Sequence, residues 1–119
     1  MKKMIVVLML LFISILTASA QVRFSANANV YNNQTNQKVG SQYISANITN
    51  GTGTMTLGNI KMKAVITNSR RDNQYQMTAY SVSLRSSNGK TVEAVITKRD
   101  KGTYSVVVYY ADGILRYDF

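Results

Sequence analysis

"YSVSLRSSNGKTVEAVITKRDKGTYSVVVYYADGILRYDF" runs from Tyr80 to Phe119, a stretch in which apolar and polar residues alternate between glycine-containing breaks. Apolar residues take alternate positions in four runs: Val82 and Leu84, then Val92, Ala94 and Ile96, then Val106 and Val108, then Leu115 and Tyr117. A period of two marks strands with one buried face, and the glycine-containing breaks between the runs mark turns. A one-residue slip would turn a strand inside out, so the buried faces of neighbours must align, and that requirement selects the loops. A three-residue loop at Asp100-Lys101-Gly102, with the glycine left-handed, sets Ile96 beside Val106 and Ala94 beside Val108. A two-residue turn at Asn88-Gly89 would bring Glu93 opposite Leu84, on the wrong face. A three-residue loop at Ser87-Asn88-Gly89 instead pairs Leu84 with Val92, Val82 with Ala94 and Tyr80 with Ile96. Asp112-Gly113, read as a two-residue type I′ turn, sets Tyr110 on Leu115, Val108 on Tyr117 and Val106 on Phe119.

The same alternation extends upstream. Val22, Phe24, Ala26, Ala28 and Val30 are separated by polar residues, and Ile60, Met62, Ala64 and Ile66 enclose Lys61, Lys63 and Val65. Turn signals recur at 32–37, 50–53 and 68–73, while "LGN" at 57–59 is compatible with a tight turn or a glycine bulge. These intervals predict a single all-β domain over residues 21–119, an antiparallel meander of about seven or eight strands folded as a β-sandwich or a partly closed barrel.

Residues 1–20 read as a secretory signal peptide to be cleaved. Lys2 and Lys3 precede the apolar run Met4–Leu16, and Ala18-Ser19-Ala20 supplies small residues before Gln21. The run is short against the roughly 20 apolar residues of a membrane-spanning helix. The lysine pair and the short apolar core look bacterial, and the location expected is secreted or periplasmic. With no cysteine, the exported domain must be stabilised by packing alone.

Catalysis is not expected. The chain has no His and no Cys, hence no imidazole base, no thiolate and no usual set of metal ligands, and no metal or other cofactor is predicted. Of the five carboxylates, Asp100 and Asp112 fall in turns at opposite ends of one strand, roughly 30 Å apart at strand rise. Carboxylate pairs in glycoside hydrolysis lie within roughly 10 Å.

Binding is the expected mode of action, through either of two surfaces. The first is a basic end formed by two neighbouring turns, with Arg70, Arg71, Lys98, Arg99 and Lys101 beside Asp72 and Asp100. A surface with an excess of cations attracts polyanions, and export favours an acidic glycan over nucleic acid. The second is a row on the face opposite the core, Ser83, Glu93, Tyr109 and Arg116, suited to a protein or sugar contact. A self-assembling fibre or matrix subunit is the alternative. The uncharged run Tyr104–Ala111 has high β propensity, and a last strand at 114–119 would leave an open edge; against assembly, Arg116 and Asp118 point outward from that strand, and Lys101 and Asp112 flank the run.

Leu115, Tyr117 and Phe119 resemble the closing-strand signal of bacterial outer-membrane barrels. That resemblance implies a lipid-facing barrel, but Ile114–Phe119 falls short of the roughly 9–11 residues such strands need, and no membrane span is expected in the mature chain.

Overall fold

Among the described residues eight strands follow one another, and each is hydrogen-bonded to the next: β1 (Val22–Asn32), β2 (Gln37–Thr49), β3 (Thr52–Leu57), β4 (Ile60–Asp72), β5 (Met77–Arg85), β6 (Thr91–Arg99), β7 (Tyr104–Tyr110) and β8 (Gly113–Asp118). β8 also pairs with β1, so the meander closes into an antiparallel barrel. The computed structural model describes residues 21–119; the expected leader, residues 1–20, lies outside the described residues. Closure excludes the sandwich, and it corrects the expectation that β8 is an open edge.

The interior is a single apolar cluster drawn from every strand. Val22, Ala28, Ile44, Ile48, Met55, Leu84, Ile96, Val106, Val108 and Tyr117 are all buried within it. Ile60 occupies an inward register position, yet it sits at the rim beside the β3–β4 turn and is 59% exposed. Outward positions carry Arg23, Ser25, Asn27, Lys61, Lys63 and Glu93. A membrane barrel has the reverse arrangement, apolar outside and polar inside.

Local chemistry sets the hairpins. Asn50 and Gly51 both have positive φ, the type I′ pattern, and join Thr49 to Thr52. "LGN" proves to be a two-residue turn, with Gly58 at φ +62 joining Leu57 to Ile60. The β1–β2 and β4–β5 turns share one design. The Asn32 side chain accepts from the amides of Gln34 and Thr35, and Asp72 accepts from those of Gln74 and Tyr75. Each turn then closes through a left-handed residue, Asn36 or Gln76. Gly53 answers to packing: a Cβ there would come within 2.0 Å of the Asn47 carbonyl oxygen.

The β5–β6–β7 register is the predicted one. Val82 faces Ala94, Leu84 faces Val92, Ala94 faces Val108 and Ile96 faces Val106. Gly89 and Gly102 take the positive φ that the three-residue loops require. At β7–β8 the prediction is off by two residues. Val108 faces Leu115 and Val106 faces Tyr117, because the turn is Ala111-Asp112 and Gly113 is already the first residue of β8. Gly113 lacks the positive φ of a type I′ turn.

Following the registers once round the barrel leads back to β1 about a dozen residues further on, so the strands are strongly tilted. That stagger leaves β1 and β8 in register only over Asn29–Asn32 and Leu115–Asp118. Alongside Val22–Ala28 no strand lies on that flank among the described residues. The gap is filled by rings. Phe24 lies 5.0 Å from Tyr104 and 4.8 Å from Phe119, and Tyr104 stacks on Phe119 at 5.5 Å between centroids.

Candidate functional site

The β4–β5 and β6–β7 turns do meet at one end of the barrel, as expected, and the five cations gather there. They are not equally available. Arg71 forms a two-pronged ion pair with Asp100, both contacts at 2.7 Å. The hydrogen bond and charge of Arg71 hold the Asp100 carboxyl below the usual aspartate range, and the same bond raises the Arg71 guanidinium. Asp72 is engaged as the cap of its turn. Arg99 turns outward along the wall and donates to Ser105 Oγ at 3.0 Å, which donates in turn to Asp118 at 2.8 Å. Arg70, Lys98 and Lys101 are left without ion pairs among the described residues. Asp100 and Asp112 occupy turns at opposite ends of β7.

The second expected row is only partly assembled. Ser83, Glu93 and Tyr109 do lie side by side on β5, β6 and β7, and Tyr109 is 46% exposed. Arg116 is not among them, because the two-residue shift at β7–β8 puts Ile114 beside Tyr109 and places Arg116 beside Val107. There it meets a different set of groups. Its guanidinium bonds Asp118 at 3.0 Å, Asn33 at 3.2 Å and Asn36 at 2.8 Å, and it lies 4.8 Å above the Tyr31 ring. Arg99, Ser105, Asp118 and Arg116 thus form one polar chain across β6, β7 and β8 that ends on β1 and its turn. Arg116 clamps the closing seam, its guanidinium taken up by Asp118, Asn33 and Asn36.

The tyrosines divide in the same way. Tyr31 supports Arg116, and the Tyr43 hydroxyl shares a 2.8 Å hydrogen bond with Ser25 across β1–β2, which lowers its pKa. Tyr117 is buried opposite Val30, and burial, followed by its contact with the Tyr110 hydroxyl, pushes its phenol well above the ordinary value.

Sequence reasoning missed one cationic group. Lys61 and Lys63 of β4 are far in the chain from Arg85 of β5, but the register sets Lys63 directly opposite Arg85. Together with Thr54, Ser86 and Ser87 they line an open cleft of ≈ 590 Å³ at the end of the barrel opposite the β6–β7 turn. The available signal was charge distribution: from Gln21 to Arg71 the chain has six cations and no carboxylate.

Compared with protein families, with curated proteins and with solved structures, the chain matches none.

Proposed function

We propose that this chain is an exported, non-enzymatic β-barrel domain of bacterial type that acts by binding an acidic glycan through its basic outer surface. The observation that carries this reading is the segregation of charge. Every carboxylate belongs to Asp72 or to the chain beyond it, so the wall built by β1, β2, β3 and most of β4 presents Arg23, Lys61, Lys63 and Arg70 without an acid among them. Exposed cations without local counter-charge attract polyanions and release them as salt rises. The apolar interior and charged exterior support a domain that works in water, outside the hydrocarbon of a bilayer. A non-catalytic role is supported by the engagement of Asp72 in a turn, of Asp100 with Arg71 and of Asp118 with Ser105 and Arg116.

The alternative, a self-assembling fibre or matrix subunit, needs an open edge beside the run Tyr104–Ala111. Both edges of β7 are paired, and β8 is taken up by β1. The uncharged run therefore has no free edge for a second chain to extend, which favours binding over assembly through that run.

The test is titration of the exported chain with heparin and with polygalacturonate at low and at physiological salt. Binding at low salt that weakens steeply as salt rises is the expected result. A chain that binds neither polymer at low salt sinks the reading.

A further inference from the structure

We propose that the cleft between the start of β4 and the β5–β6 turn is a subsite for a sulfate or phosphate ester carried on a glycan. The inference rests on the polyanion reading above and names where and what that surface binds.

The argument begins with a like-charge contact. Lys63 and Arg85 are directly opposite each other on adjacent antiparallel strands, and Lys61 lies two residues along on the same outward face. Like charges placed across a ladder are destabilising. No acid offsets them: the ion pairs among the described residues are Arg71–Asp100 and Arg116–Asp118, both elsewhere. Glu93 comes nearest by register, as the diagonal neighbour of Arg85 beyond Thr91, and it makes no ion pair among the described residues. The fold therefore sustains three exposed cations around one concavity, a cost that a bound anion would convert into a gain.

The polar part of the remaining lining, Thr54, Ser86 and Ser87, suits an oxyanion, with Met62 the one large apolar residue beside it. Ser86 is engaged inside its own turn with Asn88 and the Lys90 carbonyl, which shapes the loop, while Thr54 and Ser87 add two further hydroxyl-bearing residues to the lining. An arginine fork and two ammonium groups match an ester with three terminal oxygens better than a two-oxygen carboxylate, because more charge-assisted hydrogen bonds can form at once. At ≈ 590 Å³ the cleft exceeds one sulfate or phosphate group and falls within the range of about 300–1,000 Å³ typical of ligand sites, so it has room for the sugar that carries the ester.

The experiment compares two double charge reversals of equal net charge in the exported chain: Lys63→Glu with Arg85→Glu in the cleft, and Lys98→Glu with Lys101→Glu at the opposite end. Affinity for heparin, for a phosphorylated mannan and for polygalacturonate is measured at low salt by calorimetry. The cleft variant should lose at least about tenfold in affinity for the preferred ester, the size expected for one lost charge-assisted hydrogen bond, and the turn-end variant should lose much less. Preference for heparin assigns a sulfate ester and preference for the mannan a phosphate ester, while polygalacturonate binding as tightly as either overturns the assignment. Equal losses in the two variants, or a larger loss at the turn end, overturn the cleft while leaving polyanion binding intact. If the unaltered chain binds none of the polymers, the broader reading fails with it. Lys63→Glu alone supplies a second readout. It sets opposite charges across the ladder, so the thermal midpoint should hold or rise while ester binding falls. A lower midpoint would make Lys63 a structural residue and overturn the proposal.

Discussion

β5 and β6 pair over nine residues, from Met77↔Arg99 to Arg85↔Thr91, whereas β1 and β8 pair over four. The two junctions are held by different physics. The β5–β6 ladder is a hairpin whose loop brings the strands together at small entropic cost and whose glycine sets the register. The seam joins the first strand to the last, across the longest loop the chain can close, and its short ladder is supplemented by side chains: Tyr117 from within, the Arg116–Asp118 clamp from outside, and the Phe24, Tyr104 and Phe119 rings where pairing stops. A hairpin is specified locally. A seam is specified by packing.

Tyr117→Ala should weaken the seam most. Tyr117 is 1% exposed and lies opposite both Val30 and Val106, so its removal leaves a cavity at the point of closure. A loss of about 3–5 kcal/mol, as for other buried aromatic truncations, is expected in urea denaturation. A cost below about 1 kcal/mol would show that closure does not depend on this ring.

Arg116→Ala should have an intermediate effect, about 1–2 kcal/mol, from partly solvated charge-assisted hydrogen bonds and the cation over Tyr31. Hydrogen exchange gives the diagnostic. The Asn33 amide, bonded to the Ile114 carbonyl across the seam, should exchange faster, while amides of the β5–β6 ladder stay protected. Arg116→Lys should restore little, since a lysine cannot reach Asp118, Asn33 and Asn36 together. Uniform acceleration across the barrel would erase the distinction between the junctions.

Asp100→Asn should do least. Its ion pair with Arg71 is solvent-exposed, with side chains 42% and 48% accessible, and the thermal midpoint at neutral pH should barely move. The sign with pH is set by the depressed carboxyl. Whatever stability the pair adds is present above the ordinary aspartate pKa and lost as pH falls through the lower folded value. The variant should therefore converge with the unaltered chain in acid. A midpoint drop at neutral pH as large as that of Arg116→Ala would show that this end of the barrel is clamped as the seam is.

The β7–β8 register shows where reading from the sequence stops. Alternation fixes which face of a strand is buried, so it rejects every odd slip and is blind to every even one. "ADGI" offered a standard Asp-Gly turn, yet the chain turns one residue earlier, and every inward residue stays inward. Those two residues of shift have a large effect outside. They remove Arg116 from the Tyr109 row and bring it onto Tyr31, Asn33 and Asn36, turning an expected binding group into a structural clamp. The cluster of Lys61, Lys63 and Arg85 was hidden for a related reason. Its members stand on two strands joined by an irregular ladder with a bulge between Ile66 and Asn68, and no turn rule near them fixes their register.

Period two and loops of two or three residues dictate the strand identity of the domain, the inward face of nearly every strand, the β5–β6–β7 register and the assembly of the cationic turns at one end. Tertiary structure alone decided that the meander closes, that Tyr117 lies against Val30, that Arg71 and Arg99 are engaged while Lys63 and Arg85 are not, and that the unopposed charge gathers in a cleft. All of these depend on strands far apart in the chain. Their relative stagger comes from the sum of every turn and bulge between them, a quantity that no local pattern carries.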